Sequence, residues 1–285
     1  MLPSDGLVSR QNSLVHVRIT GRRSWFDFGF REIWRFRPLI RVLAARDIKV
    51  RYRQTALGVT GVVLAPLLTA AVLTFAFGQV ARLPSEGVPY ILFSYAGFLG
   101  WSMFSNLLSR ASASLLSDTA LVSRIYVPRL LLPVASCLVC LVDFAIGSML
   151  LAGLMAANGI VPGPAFLLVP MWLIAILLLG LGGGTALGAL VVYYRDASLA
   201  TSAALQVLLY VTPVAYSASA VPHRFHQLYV LNPLGALIEG MRWSLLGTDP
   251  PGLVRVLVSI AVCVVVLFAG CATFTRLERG FADVI

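Results

Sequence analysis

Six stretches of this chain are long and apolar enough to cross a lipid bilayer, and that pattern constrains the fold more than any other feature. A helix crossing about 30 Å of hydrocarbon needs roughly 20 mostly apolar residues. The stretches run near Ala56 to Val80, Tyr90 to Ser109, Leu130 to Ala157, Pro164 to Tyr194, Leu199 to Ser217 and Leu253 to Phe274. Composition agrees. Of the 285 residues, 59% are hydrophobic and 12% charged, with a mean hydropathy of +0.88, whereas a soluble domain carries about a quarter charged residues. The expected fold is an all-α, polytopic integral membrane protein with six transmembrane helices. The first apolar run begins near Ala56, far beyond a signal-peptide core, so no cleavable signal is expected.

The net charge of +10 is not spread as a nucleic-acid-binding face would require. Twelve of the 22 basic residues precede the first span, from Arg10 to Arg53. Arg110, Arg124, Arg129 and Arg195 fall in the second and fourth connections, and Arg276 and Arg279 in the tail. The other connections hold only Arg82, Arg224 and Arg242, with Arg255 just inside the last span. By the positive-inside rule, the arginine-rich side is cytoplasmic and both termini lie there. Cys137, Cys140, Cys263 and Cys271 sit in apolar runs, where a thiol packs as a small hydrophobe. No metal site is expected, since zinc at Cys137 and Cys140 would need further ligands.

Export against a gradient needs an energy source, yet the chain has no G-x-x-x-x-G-K-[ST] loop. Its single lysine, Lys49, lies in Arg-Asp-Ile-Lys-Val-Arg, with no glycines before it. The Gly-Leu-Gly-Gly-Gly run at 180–184 lies mid-span, where small residues let helices approach closely. Asp143 is the clear ionisable residue at mid-membrane; it can carry a proton or hydrogen-bond a neighbouring helix. His16, His223 and His226 form no triad or ligand set, so no catalytic residues are assigned.

Four domains follow from these patterns: a cytoplasmic lead at 1–29, an amphipathic helix at 30–55, the six-span domain at 56–274 and a cytoplasmic tail at 275–285. In the amphipathic helix Phe36, Leu39, Ile40 and Leu43 recur at helical spacing, while Arg46, Lys49, Arg51 and Arg53 supply charge. It reads as a helix lying at the membrane interface or as a solvated basic helix. After the second span, Ser117 or Asp118 can cap a short helix that Pro128 interrupts. Its residues Leu121, Val122, Arg124, Ile125 and Tyr126, with Pro128 and Arg129, either meet a protein partner or fold back on the spans.

The 35 residues from Ala218 to Gly252 are too polar to span but rich in apolar side chains. Short re-entrant helices before the last span, or a plain surface loop, fit that mixture. Asn232, Pro233, Glu239, Arg242 and Trp243 lie there, and Glu239 and Arg242 can pair at i, i+3. Phe93, Tyr95, Phe98, Trp101 and Phe104 in the second span, with Tyr210 and Tyr216, are candidate channel-lining aromatics; aromatic belts at membrane interfaces are the alternative.

Several segments resemble one family when taken in order. They are Arg46-Asp47-Ile48-Lys49-Val50-Arg51-Tyr52-Arg53-Gln54-Thr55, Pro128-Arg129 with Pro133, Leu141-Val142-Asp143-Phe144 and Tyr194-Arg195-Asp196. Gln206, Tyr210, Thr212-Pro213-Val214, Leu231-Asn232-Pro233 and the ending Phe281-Ala282-Asp283-Val284-Ile285 continue the order. Together they are similar to the membrane subunits of type-2 ABC exporters that move polysaccharides, as in O-antigen, teichoic acid and capsule export. Gly61 and Ser202 depart from that pattern, where the family often has tryptophan and proline.

The resemblance implies a homodimeric permease in a bacterial inner membrane, joined by two copies of a separate ATPase that binds ATP and Mg, with no cofactor on this chain. It implies a lipid-linked glycan as cargo, Leu121 to Arg129 as the ATPase contact and 218–247 as an external gate. A drug or small-lipid exporter of the same superfamily is the first alternative, and an intramembrane glycan transferase or scaffold the second.

Overall fold

The computed structural model describes residues 34–53, 58–117, 128–194, 196–217, 232–278 and 280. The regular structure among these residues is entirely helical, with no strand among them. The helices are α1 (Arg37–Arg53), α2 (Gly58–Leu73) with a π-helical continuation (Thr74–Val80), α3 (Tyr90–Ser117), α4 (Leu131–Ala157), α5 (Val169–Tyr193), α6 (Ala197–Val211), α7 (Pro233–Leu246) and α8 (Leu253–Leu277). A 3-10 turn, Pro164–Leu168, leads into α5. Four of the helices are individually long and apolar enough to cross a membrane: α3, α4, α8, and α5 with its leading turn.

The centre of the bundle is α3, with 72% of its apolar stretch inside the protein, against 28–33% for the other three long helices. It packs against α4 on one side and α5 on another, while α5 in turn lies along α8. Between membrane helices the driving force is close packing rather than removal of apolar surface from water. The glycine run supplies that packing. A Cβ on Gly270 of α8 would overlap the Gly182 carbonyl of α5, so the two backbones touch where they cross. Gly270→Ala is therefore expected to cost about 1–3 kcal/mol through overpacking, read as a lower thermal midpoint in detergent. An unchanged midpoint would mean the crossing is looser than described.

At one end of the bundle α1 lays Ile40 and Leu43 onto a cluster formed by Leu115, Leu131, Leu132, Ala189, Val192 and Phe274. Phe36 and Leu39 extend the same face. The apolar stripe legible in the sequence is thus covered by the bundle's own helix ends rather than left for lipid. Burying Ile40 and Leu43 there contributes about 1.5–3 kcal/mol each.

The opposite end holds α7, so within the 218–252 stretch residues 233–246 form a buried helix rather than a plain surface loop, while 218–231 lie outside the described residues. Eleven of its 14 residues are buried, among them Leu237, Ile238 and Met241, and it packs against α3, α5 and α8. Its limits are written locally. The Asn232 side chain accepts from the Leu234 N–H at 3.1 Å, and Pro233 occupies the first turn. Gly247 closes the helix with φ 71°, a left-handed geometry that glycine adopts without strain.

The fifth apolar run is shorter than the sequence suggests: helix α6 stops at Val211, not Ser217. The cause is Pro213, which disfavours helical geometry at the residue before it; Thr212 is extended, with ψ 139°. The chain from Thr212 to Ser217 is irregular. Its carbonyls consequently need partners from elsewhere.

Candidate functional site

Those partners come from a cluster of polar side chains at the α7 end. Arg242 is 1% exposed. Its Nε donates to the Phe93 carbonyl at 3.2 Å, and its Nη2 to the Pro213 carbonyl at 2.9 Å and to that of Val214. The guanidinium also lies 3.9 Å from the centroid of the Phe93 ring. Tyr90 donates its hydroxyl to the Ala215 carbonyl at 2.6 Å, and Asn232 donates through Nδ2 to the Thr212 hydroxyl at 2.9 Å. The irregular stretch after α6 is thereby stitched to α3 and α7. Gly97 permits it, because a Cβ there would overlap both the Arg242 guanidinium and the Val214 carbonyl.

Glu239 does not pair with Arg242 as the i, i+3 spacing suggests. It bonds Arg255 of α8 at 2.9 Å, while the broken backbone claims Arg242. Trp172 donates its indole N–H to the Ser244 hydroxyl at 2.8 Å, fixing α7 to α5. Glu86, between the first two spans, accepts from the Ser217 hydroxyl and from the Asp249 N–H at 3.3 Å. Arg255, Trp172, Ser244 and Glu86 were not singled out by sequence. Arg255 carried the one readable signal, a lone charge just inside an apolar run.

At the α1 end Asp143 of α4 accepts from the Tyr52 hydroxyl at 2.7 Å and pairs with Arg51 at 3.3 Å. Burial first, then the bond to Asp143, push the Tyr52 phenol well above its ordinary range, so it remains a neutral donor. The Asp143 carboxylate therefore accepts a hydrogen bond from a neighbouring helix, one of the two roles open to it. Arg46 bonds its neighbour Asp47 at 2.9 Å, and Lys49 is exposed. Arg53 ends α1. Arg129 donates to the Glu278 carbonyl at 2.7 Å, capping the C-terminal end of α8. Pro128 is buried beside it. Leu121, Val122, Arg124, Ile125 and Tyr126 lie outside the described residues.

The candidate aromatics separate into two groups. Phe93, Tyr95, Trp101 and Phe104 are buried in the chain's own core, and Phe98 packs against it. Tyr95 donates to the Gly147 carbonyl at 3.1 Å. Tyr216 turns its hydroxyl onto the carbonyls of Tyr210 and Val211. Tyr210, by contrast, is 68% exposed, and Ser202 and Gln206 are exposed on the same helix at i−8 and i−4. Trp243 is half-buried against the core.

Residues 38–246 match the ABC-2 type transporter family. The chain is 23% identical over 249 residues to the O-antigen export system permease protein RfbA of Klebsiella pneumoniae, covering 87% of this chain and 95% of that one. It is 26% identical over 257 residues to the protein of the same name from Myxococcus xanthus, covering 90% and 98%. With the family match running from inside α1 to the last residue of α7, through every apolar helix but the final one, the chain belongs to the ABC-2 type transporter family.

Proposed function

We propose that this permease exports a lipid-linked polysaccharide across the bacterial inner membrane, as a homodimer driven by two copies of a separate ABC ATPase. The similarity to O-antigen export permeases, extending over 87% and 90% of this chain, carries the reading. Four long helices and two shorter apolar segments support a reading of six crossings. The continuous helix from Gly58 to Val80 rises roughly 30 Å. The 15 residues of α6 rise about 22 Å, and the stretch to Ser217 completes the passage under shelter of Arg242. Both termini are then cytoplasmic, and the α7 end faces outward.

Cargo chemistry fits α6. Ser202, Gln206 and Tyr210 recur every fourth residue and, with exposed Ser198 one step before them, form a polar and aromatic ridge along a largely apolar helix. Hydrocarbon is a poor neighbour for the Gln206 amide, whereas sugar hydroxyls bond such groups and sugar rings stack on a tyrosine face. A two-fold seam beside this ridge encloses a polymer path that one bundle of closely packed helices has no room for. The segment Leu121 to Arg129 docks the ATPase. The Asp143, Tyr52 and Arg51 tether carries movement of α1 into α4. The 218–247 segment is the external gate, with α7 as its fixed wall.

Depletion of the protein in its host is expected to accumulate undecaprenyl- or decaprenyl-linked glycan on the cytoplasmic side. A drug or small-lipid exporter predicts no accumulation, and that result would remove the glycan cargo. A transferase or scaffold predicts product from the purified chain without nucleotide.

A further inference from the structure

Beneath α1 lies a pocket of about 210 Å³, enclosed by Leu43 and Asp47 of α1, Arg110, Ser114 and Ser117 of α3, and Ser136 of α4. That volume holds roughly seven waters. It lies near the last two turns of α3 and the first turns of α4. Among the described residues, both carboxylates of this neighbourhood are engaged. Asp47 is bonded to Arg46 at 2.9 Å, and Asp143 is shared by Arg51 and Tyr52. Arg110, half-buried, is within ion-pair distance of neither. With Asp47 and Asp143 bonded to other arginines, Arg110 is the guanidinium of the pocket wall that has no ion pair among the described residues. A cation in a partly desolvated wall is costly without an anion. The serines are adaptable company, since Ser117 and Ser136 make only local bonds to their own helices, at 3.0 and 3.4 Å, and a hydroxyl can rotate toward a ligand.

We propose that this pocket binds the phosphate ester of a membrane lipid, with Arg110 as its charged contact and the Ser117 and Ser136 hydroxyls as supporting donors. A planar guanidinium suits two phosphate oxygens at once. Basic pockets between membrane helices on the cytoplasmic side suit lipid phosphates. The phosphate has two sources, the headgroup of a bulk anionic phospholipid or the diphosphate joining cargo to its lipid. The second source rests on the function proposed above; the first does not.

The full chain in detergent is titrated by native mass spectrometry with undecaprenyl diphosphate, phosphatidylglycerol, and two phosphate-free controls, undecaprenol and diacylglycerol. The phosphorylated lipids are expected to bind and the controls not to. Arg110→Gln weakens binding about tenfold, the scale of one charge-assisted contact; Arg110→Lys weakens it less, and Arg82→Gln leaves it unchanged. If Arg110→Gln fails to fold, competition by inorganic diphosphate against phosphatidylglycerol on the unaltered chain carries the test. Preference for undecaprenyl diphosphate assigns the pocket to cargo, and equal retention of both phosphorylated lipids assigns it to the membrane; either upholds the site. Equal binding of undecaprenol and its diphosphate, an Arg110→Gln titration matching the unaltered chain, or no competition by diphosphate overturns it. Diphosphate binding without glycan accumulation on depletion would remove the cargo and leave the pocket, and the reverse would remove the pocket and leave export.

Discussion

Replacing Arg242 with alanine is expected to destabilise the protein by about 3–5 kcal/mol, the scale for breaking a buried charged network. Three carbonyls, those of Phe93, Pro213 and Val214, lose their donor together. Two of them lie where Pro213 has ended α6, so no helix stands ready to reclaim them. In a chain of this size that loss corresponds to a fall of about 10 °C in thermal midpoint, readable by tryptophan fluorescence in detergent. Arg242→Met keeps much of the volume but none of the donors, and should fall nearly as far. Arg242→Lys brings a point charge where a planar fork is bonded, so it recovers only part. A midpoint within about 3 °C of the unaltered protein for Arg242→Met would mean that water replaces the guanidinium and that the far end is open rather than sealed.

The helices were legible because membrane-length apolar runs and glycine-lined crossings are written in the local sequence. The start and end of α7 are also written locally, in Asn232-Pro233 and Gly247, although the expectation of short re-entrant helices set no limits there. Partner choice was not legible. Glu239 and Arg242 have the right spacing to pair, but spacing says nothing about the carbonyls freed by Pro213 or about Arg255 arriving from α8. The end of α6 was signalled by Thr212-Pro213, yet the apolar composition ran through it to Ser217.

The aromatic residues of α3 teach a related lesson. At about 100° per residue, Phe93, Tyr95, Phe98, Trp101 and Phe104 spread over more than half the helix circumference. That distribution belongs to a helix surrounded by its own bundle, which α3 is. The stripe on α1 was visible too, but a stripe does not say whether lipid or protein covers it; only the ends of α3, α4, α5 and α8 converging there decide.

Asp143→Leu is expected to free the end of α1 at a cost of about 3 kcal/mol, because the Arg51–Asp143 ion pair and the acceptor of the Tyr52 hydroxyl are lost at one stroke. Asp143→Asn still offers an oxygen to Tyr52 and forfeits only the charge, so a loss of about 1 kcal/mol is expected. Trypsin reports the difference, since Arg51 and Arg53 become cleavable when the last turn of α1 detaches. If the tether acts as a unit, Asp143→Leu combined with Arg51→Met costs less than the sum of the two single changes, by about 1 kcal/mol or more. Strict additivity would mean that the contact is incidental. Export separates the two roles open to this carboxylate. A tether predicts that Asp143→Asn transports nearly normally and that Asp143→Leu retains ATP hydrolysis while losing transport, since α1 then moves without α4. A proton carrier predicts that both substitutions fail alike, because neither side chain can take up and release a proton.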